Sequence, residues 1–243
     1  MVATPIGNLE DQTARALRIL READAVVSED TRTTMKLLSH HEIRKPMIAW
    51  FQHSPPRRLE EILERLKAGQ SLALVTEAGT PGLSDPGSKL VEAAFAAGIK
   101  VVPIPGPSAL AAAAAVCGFD VDAFHFAGFL PRKPGKRRKA LQALAPFEVT
   151  LLFYESPHRV AETLEDMLAT LGDRRMTVCR ELTKLHEEIW RTTVGKALER
   201  YRKEAPRGEF TLALEGLPSD PSAQEEDSEP EDSHPDLETG DIG

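Results

Sequence analysis

The segment Ala78-Gly79-Thr80-Pro81-Gly82-Leu83-Ser84-Asp85-Pro86-Gly87 closely follows the apolar run Leu72-Ala73-Leu74-Val75. Three glycines let the main chain approach a ligand or take positive φ, two prolines fix φ, and Thr80, Ser84 and Asp85 can bond either main chain or ligand. That composition suits the holding of a small molecule by backbone groups at a strand end. A plain connecting loop, with Ser84 or Asp85 capping the next helix, would use several of the same residues. A second set, Arg180, Glu181, Lys184, His186, Glu187 and Glu188, comes straight after the apolar Met176–Cys179. It offers proton donors and acceptors in close succession, and the start of a solvated helix would carry similar charges. A third set, Arg132-Lys133-Pro134-Gly135-Lys136-Arg137-Arg138-Lys139, has six cations in eight residues, on a Pro/Gly-interrupted loop leading into a helix. Phosphate contact fits it, as does a solvated helix face.

Other polar segments are less specific. Ala3-Thr4-Pro5-Ile6-Gly7-Asn8-Leu9-Glu10-Asp11 lacks the GxGxxG spacing of a dinucleotide site, and the chain has no P-loop lysine motif. Gly7 permits a tight turn there, and Asp11 reads as the cap of a helix carrying Ala14, Leu17 and Leu20. Ser28-Glu29-Asp30-Thr31-Arg32 is either part of a site or a local Asp30–Arg32 pair and helix cap. Cys117 and Cys179 form neither a disulfide framework nor a CxxC pair, which fits a reducing, cytoplasmic setting. The seven histidines are scattered, and adjacent His40 and His41 cannot face one site from a helix, so no metal centre is expected.

The elements that must position these residues alternate. Short apolar strands are predicted at Ala25–Val27, Met47–Ala49, Leu72–Val75 and Val101–Ile104. Between them Leu59, Ile62, Leu63 and Leu66 recur at helical spacing before Gly69, and Leu90, Val91, Ala94 and Phe95 before Gly98. The pattern implies a mainly parallel α/β sheet, whose ligands collect beyond the carboxyl ends of the strands, where residues 78–87 and Pro103–Ser108 both fall. An Ala-rich helix to about Val116 leads into a less regular half. Strands are predicted there at Phe124–Phe129, Val149–Phe153, Met176–Cys179 and Phe210–Leu214, with a helix carrying Val160, Leu164, Met167, Leu168 and Leu171, and a mixed sheet is expected.

At 243 residues and 41% hydrophobic content the chain can bury a sizeable core in one or two domains. The net charge of −8 is uneven: ten acids and no Lys or Arg lie between Pro218 and Gly243, leaving 28 acids against 30 bases in residues 1–217. The body can therefore meet a polyanion, while the acidic Pro/Ser-containing tail reads as disordered. The longest apolar run, Ala109–Val116, falls far short of the roughly 20 residues a spanning helix needs, so neither a membrane segment nor a secretory leader is expected.

Six ordered motifs give the chain a strong resemblance to a known family. They are Val2–Asp11, Glu29-Asp30-Thr31-Arg32, Ala78–Gly87, Pro103-Ile104-Pro105-Gly106-Pro107-Ser108-Ala109, Phe153-Tyr154-Glu155-Ser156-Pro157-His158-Arg159 and Arg180–Glu188. Across residues 1 to about 216 the chain resembles the ribosomal RNA small subunit methyltransferase I family of the tetrapyrrole methylase superfamily. The resemblance implies a two-domain α/β fold, here residues 1–116 and 117–217 followed by the tail 218–243, with S-adenosylmethionine bound between the domains. It also implies a homodimer that 2′-O-methylates a cytidine in the decoding region of small-subunit 16S rRNA. Carried onto this sequence, the cofactor residues are Pro5, Glu77, Ala78, Gly79, Thr80, Leu83, Ser84, Ser108, Ala109 and Tyr154. Phe153 reads as core. Lys184 and Glu187 are expected near the 2′-hydroxyl, Glu187 as a base if burial raises its pKa, with Arg180 or Arg159 orienting phosphate. Arg132, Lys133, Lys136, Arg137, Arg138 and Lys139 are expected to bind RNA. Methylation of a tetrapyrrole or other small molecule is the alternative, as is S-adenosylmethionine binding without catalysis; Pro5–Asp11 and Tyr154–Arg159 favour RNA.

The sequence departs from the family pattern in places. Only Val2 and Ala3 precede the Thr-Pro-Ile-Gly turn where several apolar residues are usual, as after a late-annotated start or trimming, and a shortened central strand should lower stability. Glu77 replaces a usual Asp, Trp50-Phe51-Gln52-His53-Ser54 replaces Tyr-His-Glu-His-Asn, and Arg191-Thr192 replaces Arg-Gly.

Overall fold

The structure is a computed structural model that describes residues 1–217 apart from 52 and 86. The acidic tail, read above as disordered, lies outside the described residues. In the first half, α1 (Ala14–Glu22), β1 (Ala25–Ser28), α2 (Thr31–His40), β2 (Met47–Ala49), α3 (Pro56–Lys67), β3 (Leu72–Leu74), α4 (Gly87–Ala96) and α5 (Ala109–Val116) follow in order. The strands form a parallel sheet, β2-β1-β3. Along β1 the side chains alternate between two covered faces. Val26 packs with Ala16, Leu20 and Leu38 on one, while Ala25 and Val27 pack with Ile62, Leu74 and Leu90 on the other. A strand buried on both faces reads as a continuous apolar run, which is how β1 reads.

The strand predicted at Val101–Ile104 is reduced to a single parallel bridge between Ile104 and Val2. Pro103 and Pro105 lack the N–H groups a longer ladder needs. Val2 donates to Leu74 O, Ala3 to Ile104 O and Ile104 to Met1 O, so two buried residues join β3 to the 104 segment. The cap predicted at Asp11 is supplied instead by Thr13, whose hydroxyl accepts from Ala16 N at 3.1 Å; Asp11 ends a 3-10 turn over Leu9–Asp11. Asp30 does cap α2, accepting from Arg32 N at 2.8 Å and Thr33 N at 3.4 Å.

The second half contains β4 (Phe124–Phe129), α6 (Pro134–Leu144), β5 (Thr150–Glu155), α7 (Val160–Leu171), β6 (Arg175–Arg180), β7 (Glu188–Thr193), α8 (Val194–Lys203) and β8 (Phe210–Leu214). Its sheet order is β4-β5-β8-β6-β7, with only β4 and β5 parallel. Helices α6, α7 and α8 cover one face through Leu141, Leu164, Met167 and Leu198 against Leu151, Phe153 and Leu212. Helix α5 covers the other, where Ala113 meets Leu152, Cys179 and Ala213. The chain thus crosses from one sheet to the other on a helix that itself belongs to the second core.

Two elements differ from the sequence expectation. The polar run after Met176–Cys179 is a loop, residues 181–187, connecting β6 to β7, and β7 continues an ordinary antiparallel ladder through Arg191 opposite Thr177. The basic segment is mostly helix: Pro134 takes the first turn of α6, where its missing N–H costs nothing. Helical spacing then sets Arg137 on the same face as Leu141 and Leu144, and all three are buried.

Candidate functional site

The loop after β3 owes its shape to its own sequence. Gly79 pairs with Thr4 through two backbone hydrogen bonds of 2.9 and 3.0 Å, and Thr80 Oγ1 donates to Pro107 O at 3.2 Å. Gly79 has φ +83°, and a Cβ there would lie 3.3 Å from Ile6 Cγ2, so the position suits glycine on two counts. Asp85 Oδ1 accepts from Gly82 N at 2.8 Å and Gly87 N at 2.7 Å, closing the loop onto the first residue of α4. Ser84 is left at φ +60°, an uncommon conformation for a residue with a side chain.

Opposite this loop, Ser108 caps α5, its hydroxyl accepting from Ala111 N at 3.4 Å. The Leu110 N–H, another orphan donor of that first turn, donates to the Tyr154 phenol oxygen at 3.0 Å. Tyr154 is half-buried, and burial pushes its phenol pKa up against the hydrogen bonds with Leu110 and Ser108. These elements enclose a cleft of about 730 Å³ between the two sheets, of the size that small-molecule sites occupy.

Of the residues assigned to a cofactor, Glu77, Ala78, Gly79, Thr80, Leu83, Ser84, Ser108, Ala109 and Tyr154 all line this cleft. Pro5 does not; it lines a neighbouring depression of about 200 Å³ with Thr33, Thr34 and Lys36, joined to the cleft through Thr76 and Glu77. Phe153, next to Tyr154, is fully buried in the core. Glu29, Glu77 and Asp85 give the first-half wall a negative character. Desolvation, then the neighbouring Glu77 and Asp85, push the Glu29 carboxyl above its ordinary range. A wall of main-chain groups and small side chains beside three carboxylates fits a nucleoside ligand carrying a positive charge. Among the described residues, no group of three or more His, Cys, Asp or Glu is arranged to hold a metal ion.

The three residues assigned to catalysis stand beside the cleft rather than in its lining. Arg180 pairs with Glu188 at 3.0 Å, and Glu188 in turn with Arg200 at 2.6 Å. Lys184 is clamped by Glu181 at 2.7 Å and Glu209 at 2.8 Å. Burial would lower the Lys184 pKa, but its two carboxylate partners outweigh it and hold the ammonium charged. Glu187 is exposed, and its carboxylate accepts from Thr183 N at 2.5 Å, closing the turn. The burial on which its reading as a base depends is therefore absent.

Several cleft residues were not assigned to the site from the sequence, Phe129, Glu155, Leu182, Glu209 and Thr211 among them, although Glu155 and Leu182 lie within the motifs quoted above. Glu209 connects the cleft to the Lys184 clamp, and its own N–H donates to Glu181 Oε1 at 2.9 Å. An acid immediately before the apolar run Phe210–Leu214 is a signal available in the sequence. Its proximity to Lys184, 25 residues away, is not.

The basic residues divide. Arg132 lines the cleft; Lys133, Lys136, Arg138 and Lys139 are exposed. Arg137 is corrected to a structural residue: it is 2% exposed, with Nε donating to Asp166 Oδ2 at 2.6 Å and Nη2 lying 3.6 Å from Glu162. Arg159 is likewise turned inward. Its Nη2 donates to Leu130 O at 2.8 Å and Pro131 O at 3.3 Å, and lies 3.6 Å from the buried Glu155, so it ties down the loop leading to Arg132.

Comparison with known proteins places this architecture. The family model for tetrapyrrole (corrin/porphyrin) methylases matches residues 1–198. Among curated relatives, the ribosomal RNA small subunit methyltransferase I of Halalkalibacterium halodurans is 47% identical over 89% of this chain and 75% of its own length. The protein of that name from Thermotoga maritima is 48% identical, over 89% of this chain and 97% of its own. Among solved structures, a cobalamin-biosynthetic cobalt precorrin-4 methyltransferase superposes with TM-score 0.67 at 18% identity, covering 88% of this chain and 92% of its own. A Thermus thermophilus uroporphyrin-III C-methyltransferase complexed with S-adenyl homocysteine superposes with TM-score 0.61 at 18% identity, covering 87% of this chain and 94% of its own. At such identities the structural likeness speaks for the fold alone. The identity over nearly the whole described chain speaks for more: the chain belongs to the ribosomal RNA small subunit methyltransferase I family, within the tetrapyrrole methylases.

Proposed function

We propose that the chain transfers a methyl group from S-adenosylmethionine to the 2′-hydroxyl of a cytidine in the decoding region of small-subunit 16S rRNA. Residues 1–116 and 117–217 act as the two lobes of a cytoplasmic homodimer's protomer. The observation that carries the reading is one cleft lined by both the Glu77–Ser84 loop and Tyr154, with a basic face running from its edge, in a chain about half identical to proteins bearing that enzyme name.

The donor supplies an electrophilic methyl on a sulfonium; this chain supplies placement and charge. Main-chain groups at Gly79 and Thr80, with Ser108 and Ala109 opposite, hold the nucleoside, and Glu29, Glu77 and Asp85 favour the cationic form over the neutral product. Tyr154 braces the α5 terminus that carries Ser108. As the ribose oxygen attacks, its proton leaves toward the Glu209 carboxylate, which reaches the cleft and which Lys184 and Glu181 hold in place. Glu209 is exposed, as Glu187 is, its side chain being 74% accessible, and takes this role in place of Glu187 because it lines the cleft; Lys184 acts by positioning it. Arg180 orders β7 and α8 through Glu188, while the exposed cations of residues 132–139 hold RNA phosphates.

Incubation of the protein with undermethylated small subunits and methyl-labelled S-adenosylmethionine, followed by nucleotide mapping, tests the reading. Label in 2′-O-methylcytidine is expected; label in a base, or none in RNA, would overturn it.

A further inference from the structure

We propose that Phe129 is the platform on which the target nucleobase stacks while its ribose is presented to the methyl donor; this rests on the RNA-methylation reading above. The side chain is placed by a defect in β4. In a regular strand, residues 126 and 129 point to opposite faces. Here the register against β5 shifts between Phe126, opposite Leu152, and Gly128, opposite Phe153. The extra residue resets the alternation, so that Phe126 and Phe129 both meet the ring of Tyr154, at 4.9 and 5.6 Å between centroids. A bulge beside a cleft commonly re-aims a side chain in this way.

Gly128 allows the turn. Its φ is +62°, and a Cβ there would stand 3.0 Å from Ser84 Oγ on the opposite wall. The strand end therefore approaches the Ala78–Gly87 loop as closely as a residue without a side chain allows, and Phe129 emerges at the mouth.

Its surroundings differ from those of a core aromatic. Phe129 remains 55% exposed although Tyr154 packs beside it at an interplanar angle of 58°, and Leu83, 40% exposed, lines the same cleft. Arg132 lines the cleft three residues on, and the exposed Lys133 and Lys136 continue the charge outward. An open aromatic next to cations that take phosphate is the arrangement by which proteins hold an unstacked base of single-stranded RNA. Of the residues expected to hold the donor, Gly79 is buried and Thr80, Ser108, Ala109 and Tyr154 are half-buried, whereas Glu77, Ala78, Leu83 and Ser84 are exposed. Phe129, more exposed than Leu83, stands on the solvent side of the buried and half-buried group.

The experiment compares wild type with Phe129→Ala, Phe129→Leu and Phe129→Trp. For each, donor affinity is measured by calorimetry with S-adenosylmethionine, and single-turnover methylation is measured against the concentration of undermethylated small subunits. Loss of one stacked base should raise the half-saturating subunit concentration about 5- to 150-fold for Phe129→Ala. Phe129→Leu, which keeps apolar bulk without a π-face, should fall nearer Ala than wild type, and Phe129→Trp should restore binding. Donor affinity should stay within about twofold throughout. An unchanged subunit dependence, or Leu equal to wild type, would overturn the proposal. Weakened donor binding with unchanged subunit dependence would also overturn it, assigning the ring to the donor's adenine. If wild type fails to methylate the subunits, the RNA reading falls and takes this proposal with it, an outcome separable from failure of the variants alone.

Discussion

Asp166→Asn distinguishes the structural role of Arg137 from the RNA-binding role that its place in a basic run invites. Arg137 is 2% exposed, and Asp166 accepts from it at 2.6 Å while also lying 3.3 Å from the half-exposed Arg138. Removing one partner of a buried ion pair leaves an uncompensated charge and typically costs about 3–5 kcal/mol. Glu162 at 3.6 Å is 65% exposed and compensates only in part, and the surface contact with Arg138 adds about 0–1 kcal/mol. An expected loss of about 3–4 kcal/mol corresponds to a Tm lower by roughly 6–16 °C in a fold of this size. Thermal unfolding, checked by urea titration for an unchanged m-value, reads this directly. Arg137→Met combined with Asp166→Leu should recover to within about 1 kcal/mol of wild type, since apolar replacement of a whole buried pair is often neutral or better. Meanwhile the salt dependence of RNA binding should not move with Arg137→Met, whereas neutralising Lys133, Lys136, Arg138 or Lys139 should lower the slope by about 0.7 for each phosphate that cation holds. A Tm for Asp166→Asn within about 2 °C of wild type, or a reduced slope for Arg137→Met, would refute the reasoning.

Three further outcomes follow from the cleft and its surroundings. Gly79→Ala forces a side chain into φ +83°, so it should cost about 1–2 kcal/mol and lower S-adenosylmethionine affinity, read by denaturation and calorimetry; wild-type values in both would contradict it. The Glu29 carboxyl is pushed up by desolvation and by Glu77 and Asp85, so its charged form is disfavoured in the free protein and favoured by a cationic donor. Donor affinity should therefore rise with pH above the ordinary carboxylate range, and Glu29→Gln should flatten that rise in calorimetric titrations; an equal rise in the variant would remove Glu29 from the account. The Cys179 thiol is pushed up to about 12 by burial, then by Cys117 and Glu187. At pH 8 only about one thiol in ten thousand is ionised, so thiol reagents should label it at the unfolding rate, and rapid labelling of folded protein would show the site is open.

How much of this the sequence disclosed depends on whether the information was local. The β1 strand announces itself because it is covered on both faces, and the loop after β3 because Gly79, Pro81 and Gly82 have few other uses. Arg137 shows the limit. In the sequence it is one cation among six, and only the start of α6 at Pro134 makes it share a face with Leu141 and Leu144. Glu187 and Glu209 make the same point for chemistry: the polar run names a neighbourhood, but Glu209, the partner of Lys184 that lines the cleft, arrives from the residue before β8, across sheet pairing that no local pattern encodes. Strand β7 was hidden for another reason. Its Arg191 and Glu188 belong to an exposed sheet edge, where charge guards against pairing with another chain and so obscures the apolar alternation of a strand.

Two glycine contacts join the halves of the chain. In one, Gly7 lies against Lys184 and Thr183, with Asn8 N donating to Thr183 Oγ1 at 3.1 Å; in the other, Gly128 abuts Ser84. The lobes touch there with no side chain on the glycine side, like jaws set against two stops. A single methyl added at either glycine would push back the wall it faces, the Lys184 and Thr183 side chains at Gly7 and the Ser84 hydroxyl at Gly128, and so reset the spacing between the two halves.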